Sequence, residues 1–232
     1  MASRDVRVLD ALRRAGRLSA RPSADAAPGL RVGGTPLGLG RGRDGIVHVP
    51  AAAARPAPLV VLLHGAGSSA PAGRALLGDL ADEHGLIVVA PDSRGPTWDA
   101  VRGGFGPDVE FLDAALEHVF TACPVDPARV ALGGFSDGAS YALSLGIANG
   151  DLFTHLIAFS PGFAAPAAEV GQPRVFVTHG VSDPVLPIDR CSRRLVPALR
   201  AGGYDVTYHE FDGGHTVPRR LARGAVTWLE RG

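Results

Sequence analysis

The stretch Arg129-Val130-Ala131-Leu132-Gly133-Gly134-Phe135-Ser136-Asp137-Gly138-Ala139-Ser140 decides the fold. It passes from a continuous apolar run through Gly134-Phe135-Ser136-Asp137-Gly138 into the helical pattern Ala139–Ala148. An apolar run without polar alternation reads as a strand covered on both faces. Gly-x-Ser-x-Gly between a strand and a helix reads as a tight turn that lifts a serine hydroxyl above a sheet. Side chains at the two glycines would collide with neighbouring backbone. The helix that follows turns its positive end toward any negative charge forming beside the serine.

Working outward, the same rhythm repeats on both sides of this turn. Strands are expected at Gly45–Val49, Leu59–Leu63, Leu86–Ala90, Val130–Gly133, Leu156–Phe159, Val175–Thr178 and Val206–Glu210. Helical patterns occupy Ala72–Glu83, Asp108–Ala122, Asp137–Asn149, Asp189–Ala201 and Val217–Arg231. Alternation of this kind predicts an α/β fold, with a mostly parallel central sheet and helices on both faces. Phe111, Leu112, Ala115, Leu116 and Val119 should face the sheet, and Pro197 implies a kink or a boundary. Only a short segment, Ala158 to Arg174, separates two strands near the end of the sheet, so no large lid domain is expected. The expected division is an N-terminal arm over residues 1–44, with a short helix at Arg4–Arg17 and an edge strand, followed by a catalytic domain over 45–232.

Composition narrows the function. The 232 residues include 23 basic and 23 acidic side chains, a formal net charge of zero. No strong field draws the chain to nucleic acid or to an anionic membrane. All the basic residues are arginine, which excludes a lysine Schiff base or a Walker-type phosphate loop. The longest aliphatic run, Leu59 to Leu63, is too short to span a bilayer. Cys123 and Cys191 make no disulfide framework, and the start of the chain carries no signal-peptide pattern, so a cytoplasmic protein is expected. No cofactor and no metal site are expected.

A serine hydroxyl is a weak nucleophile until a neighbour takes its proton. On a turn like that at Ser136 the partners follow in chain order, an acid and then a histidine, each after a later strand. Asp183 follows the strand Val175–Thr178, and His215 follows Val206–Glu210. His215 alone satisfies order and position. His179 precedes the acid and ends a strand, which reads as structural. Asp212 is the rival acid, and Asp189 is a weaker candidate placed where it can cap the next helix.

After Leu59–Leu63 comes His64-Gly65-Ala66-Gly67-Ser68-Ser69. Such a turn presents backbone N–H groups, and Ala66 and Asp137 are the two donors expected to hold an oxyanion. The same turn admits a different reading. Gly65-Ala66-Gly67 with Asp92 after the next strand resembles a dinucleotide-binding fingerprint, which would make the chain an oxidoreductase. A non-catalytic binding protein is a third reading, against which the intact Ser136, Asp183 and His215 speak. Trp98, Phe105 and Phe163 lie where loops leave the strand ends and are candidates to line a substrate pocket.

Together, Leu62-Leu63-His64-Gly65, Gly134-Phe135-Ser136-Asp137-Gly138, His179-Gly180-x-x-Asp183 and Gly214-His215 resemble the phospholipase/carboxylesterase family of the α/β-hydrolase superfamily. Acyl-protein thioesterases and polyhydroxybutyrate-depolymerase-like esterases are among its members. The resemblance covers residues 45 to 230. It implies hydrolysis of small-molecule esters or thioesters without a cofactor, through an acyl-serine. Two departures stand out. Relatives often carry Gln or Asn after the nucleophile where this chain has Asp137, here expected to point outward. The turn after His64 also differs from the thioesterase version, so acyl specificity does not carry over.

Overall fold

The computed structural model describes residues 15–27, 29–54 and 56–231. Eight strands form one sheet: β1 (Gly33–Pro36), β2 (Gly45–Val49), β3 (Ala57–Leu63), β4 (Ile87–Pro91), β5 (Val125–Phe135), β6 (His155–Phe159), β7 (Arg174–Gly180) and β8 (Val206–Phe211). Their spatial order is β1-β2-β4-β3-β5-β6-β7-β8. The β1–β2 and β2–β4 pairs are antiparallel, and every pair from β4 to β8 is parallel.

The apolar runs form strands because both faces are covered. Leu59, Val61 and Leu63 of β3 join one buried cluster, and Val60 and Leu62 join another on the opposite face. The first cluster includes Leu112, Ala115, Leu116 and Val119 of α3 (Pro107–Ala122), residues of α4 (Asp137–Ile147), and Val196 and Leu199 of α5 (Ser192–Ala201). The second includes Leu80 and Ala81 of α2 (Leu80–Glu83) and Ala222, Ala225, Val226 and Leu229 of α6 (Arg219–Glu230). Each fully buried Leu or Val contributes about 1.5–3 kcal/mol of transfer free energy, so the central strands dominate the stability.

Some expectations need correction. The single helix expected over Ala72–Glu83 is two short ones, α1 (Ala70–Ala75) and α2, divided at Gly78 with φ +57°. That left-handed backbone cannot continue an α-helix. Pro197 lies inside α5 and ends nothing; it removes a hydrogen bond to the carbonyl of Arg193 within the helix. Asp189 caps no helix. Its carboxylate pairs with Arg193 at 2.8 Å. Phe111 packs at the margin of the first cluster, half-buried, with the Arg94 guanidinium 3.6 Å above its ring. The short helix expected at Arg4–Arg17 lies almost entirely outside the described residues.

Residues 16–21 run across α3 and the end of α4. Asn149, fully buried, accepts from the Leu18 amide at 2.8 Å and donates to the Gly16 carbonyl at 2.6 Å. Asp113 accepts from the amides of Ser19 and Ala20, both at 2.8 Å. Asp151 takes a two-bond pair from Arg17 and a third bond from Arg21 at 2.6 Å. Among the described residues no helix is long and apolar enough to cross a membrane.

Parallel pairing brings the carboxyl ends of β3, β4, β5, β7 and β8 to one edge of the sheet. The chain order reverses around β3, whose neighbours are β4 and β5. Crevices for ligands open at such a reversal. The turn after β3 and the turn after β5 flank it.

Candidate active site

The turn after β5 holds Ser136 at φ 58°, ψ −122°. This is a left-handed conformation that a non-glycine residue adopts only when its surroundings impose it. Here they do. The Ser136 amide donates to the Phe159 carbonyl of β6 at 3.0 Å. A Cβ at Gly138 would collide with the carbonyl oxygens of Leu63 and His64, and one at Gly134 would meet the backbone of Gly138. The two glycines let the turn close against β3, and α4 starts at Asp137 directly behind the serine.

Three side chains meet above this turn. His215, from the loop after β8, places Nε2 2.9 Å from Ser136 Oγ. Its Nδ1 lies 2.6 Å from Asp183 Oδ2, from the loop after β7. A carboxylate only accepts, so Nδ1 carries the proton and Nε2 offers its lone pair to the serine hydroxyl. The Phe135 ring stacks at a tilt on the imidazole, 4.6 Å between centroids. Asp183 is buried, and its Oδ1 accepts from the amides of Val185 and Leu186 at 2.9 and 2.8 Å. Burial alone would push its carboxyl up. The Leu186 amide, the His215 ring and the Val185 amide outweigh that effect and hold it below the usual carboxylate range. Asp212, the rival acid, is exposed.

His179 was read as structural, and the structure gives it that setting. It is fully buried, bonds Ser192 Oγ through Nδ1 and donates from Nε2 to the Leu186 carbonyl. Nε2 also lies 3.3 Å from Asp183 Oδ2, so the ring backs the carboxylate. Burial lowers its pKa, which favours the neutral ring.

Among the described residues the amides of Ala66 and Asp137 have no protein acceptor. They lie on the two turns that flank the reversal in strand order. A brace that the sequence did not announce positions the first of these turns. The buried His64 accepts the Ser93 amide at Nε2 (3.0 Å) and donates from Nδ1 to the Gly65 carbonyl (2.7 Å). Trp98 donates its indole N–H to the His64 carbonyl at 2.8 Å, and the Gly67 amide donates to Pro96 at 2.7 Å. Thr97 Oγ1 donates to Asp137 Oδ2 at 2.7 Å. The loop that carries these residues is itself held by two carboxylates. Asp108 accepts from the amides of Arg94 and Asp99, and Asp99 accepts from those of Gly106 and Asp108. Burial raises both of these carboxyl groups.

The candidates for a pocket lining fare unequally. Trp98 does not line a pocket. It is completely buried, with its ring against His64 and Tyr141. Phe105 is half-buried, packed edge-on against Tyr141 and against Gly16, so it serves the packing. Phe163 stands exposed on the loop after β6. Asp137 does not point outward as expected, because Thr97 draws its carboxylate across to the loop after β4. The dinucleotide reading is not supported. Asp92 is already occupied by the amides of Ala70 at 2.6 Å and Asp44 at 3.1 Å, and the helix after the glycine turn has only 6 residues.

Comparison with known proteins agrees with this architecture. The solved structure of esterase PE8 is 27% identical and superposes with a TM-score of 0.66, over 87% of this chain and 99% of that one. TT1662 from Thermus thermophilus, 24% identical, shares the fold with a TM-score of 0.64 over 87% and 98% of the two chains. NocK of Nocardia uniformis subsp. tsuyamanensis, which is named an esterase, is 32% identical over 186 residues, 74% of this chain and 53% of that protein. Feruloyl esterase C of Emericella nidulans is 29% identical over 155 residues, 56% of each chain. The chain thus spans about half the length of these curated relatives. Residues 108–230 match the model of the phospholipase/carboxylesterase family, and the chain, with its α/β-hydrolase fold, belongs to that family.

Proposed function

We propose that the protein is a carboxylesterase-type serine hydrolase that cleaves carboxylic esters, thioesters included, through an acyl-serine. One observation carries the reading: His215 bridges Ser136 Oγ and Asp183 Oδ2 with bonds of 2.9 and 2.6 Å. Ser136 Oγ attacks the ester carbonyl as His215 Nε2 takes its proton. Asp183 holds the ring in the required tautomer and stabilises the imidazolium. The amides of Ala66 and Asp137 receive the oxyanion. His215 then gives the proton to the leaving alcohol as the carbon–oxygen bond breaks. Water, giving its proton to the same nitrogen, attacks the acyl-serine; His215 then returns the proton to Ser136 Oγ as the carbon–Oγ bond breaks and the acid leaves.

The catalytic unit of this reading is residues 45–232, preceded by an arm over residues 1–44, of which residues 16–21 brace it. Similarity to the relatives named feruloyl esterase C puts aromatic acyl esters on the first substrate panel, beside simple alkyl esters. A cytoplasmic site of action completes the reading, compatible with the buried thiol of Cys191.

The test is fluorophosphonate labelling of the folded protein with mass mapping, run beside p-nitrophenyl esters of rising chain length. Labelling of Ser136 and ester turnover are expected. A folded protein that takes no label at Ser136 would overturn the assignment.

A further inference from the structure

The residue after the nucleophile carries a negative charge that the mechanism does not use. Asp137 is the first residue of α4 and is half-buried beside Ser136. Its carboxylate cannot swing freely, because Thr97 Oγ1 donates to Oδ2 at 2.7 Å. Thr97 lies between Pro96 and Trp98, which are bonded to the oxyanion turn at Gly67 and His64. The carboxylate is therefore fixed between that turn and the start of α4. Its second oxygen, Oδ1, has no protein partner among the described residues.

Among the described residues no cation forms an ion pair with it. Arg43 donates to the carbonyls of Ser93 and Ser68, and Arg94 to those of Arg43, Asp44 and Asp92. Arg102 lies over Gly95 of the same loop without pairing with Asp137. His64 is buried beneath the turn and bonded at both ring nitrogens. His215 faces the serine and Asp183. The loops after β6 and β7 are different in character. They present Phe163, 37% exposed, and Val185, 61% exposed.

A fixed carboxylate near a forming oxyanion opposes catalysis on a neutral substrate. It favours catalysis where the substrate brings a positive charge, and it rejects a substrate that brings a negative one. We propose that the Asp137 carboxylate, held by Thr97, sets the charge selectivity of the site, favouring esters with a cationic group within a few bonds of the carbonyl and excluding anionic esters. This rests on the hydrolase reading above and names the substrate class for it. Two unit charges about 6 Å apart at a partly solvated site change a rate by roughly tenfold. A cationic and an anionic ester of equal size should then differ by about 100-fold in kcat/KM. Added salt should narrow the gap.

The experiment uses the full chain and three p-nitrophenyl esters of matched chain length: those of γ-trimethylammonio-butyrate, its neutral tert-butyl isostere, and glutarate. A second trio places the same three groups on the alcohol side. Wild-type protein is expected to spread at least one trio by about 100-fold, and Asp137→Asn, nearly isosteric, to narrow that spread to about threefold. The melting temperature of the variant checks its fold. If both trios are flat in the wild type, or the spread survives in Asp137→Asn, the proposal is overturned while the hydrolase reading stands. If no ester turns over and Ser136 takes no fluorophosphonate, both fall together.

Discussion

The two sides of the site are built by different means. On the side of β7 and β8, Asp183 and His215 project from short loops and join Ser136 through their side chains. On the side of β3 and β4, the groups assigned to the reaction in the proposed mechanism are backbone amides. Side chains such as His64, Thr97 and Trp98 act one step removed by holding those amides in place. The first side depends on residue chemistry at a few positions. The second depends on the shape of a loop, which many hydrogen bonds share. Substitutions should therefore act steeply on one side and gradually on the other.

The steepest losses are expected at the acid–base side. Ser136→Ala and Asp183→Asn should each lower kcat by about 10⁴-fold or more, measured on a p-nitrophenyl ester with the fold checked by circular dichroism. If Asp183→Asn keeps more than a few per cent of activity, another acid, with Asp212 first in line, serves the histidine.

On the oxyanion side the effect should be smaller and mixed. Trp98→Phe keeps an aromatic ring but removes the indole donor from the buried His64 carbonyl. A loss of about tenfold in kcat is expected, together with about 1–3 kcal/mol of stability from the unsatisfied carbonyl, read from urea unfolding. A loss as deep as that of Asp183→Asn would mean that the two sides do not differ in kind.

The smallest effect tests a part that belongs to neither side. Arg17, first, and then Arg21 draw the Asp151 carboxyl down to about 2 against the opposing effect of burial. The folded value lies below the unfolded one, so this latch stabilises fully above the ordinary carboxylate pKa. Its contribution fades as pH falls toward about 2. Asp151→Asn should lower stability at pH 7 by about 1 kcal/mol or less, since the pair is partly exposed, and should leave kcat unchanged. The gap between variant and wild type in denaturant midpoint should close on acidification. A change in kcat would show that bracing the far end of α4 reaches the nucleophile.

The sequence discloses the two sides unequally for the same reason. Ser136, Asp183 and His215 are legible because their roles fix residue type, chain order and position after a strand. The parallel sheet is legible because runs such as Leu59–Leu63 must be apolar throughout to lie between two layers. The brace has no such signature. A bond from Trp98 to a carbonyl 34 residues away depends only on two loops lying side by side. An aromatic residue after a strand end can equally line a pocket or fill a core, and burial decides which. Thr97 and Asp137, 40 residues apart, carry no mark in the chain that they will meet. The break at Gly78 was equally hidden, because helical spacing of apolar residues persists across it.

Ser136 occupies a backbone geometry that costs about 1–3 kcal/mol for a residue with a side chain. Nothing local to the serine selects it. The geometry is imposed from outside by the Phe159 carbonyl, by the close contact with β3 and by α4 behind. The reactive arrangement is thus a property of the packed sheet as a whole rather than of three side chains. Any agent that loosens β5 against β3 or β6 lets the serine relax to an ordinary turn, and the hydroxyl then leaves the imidazole.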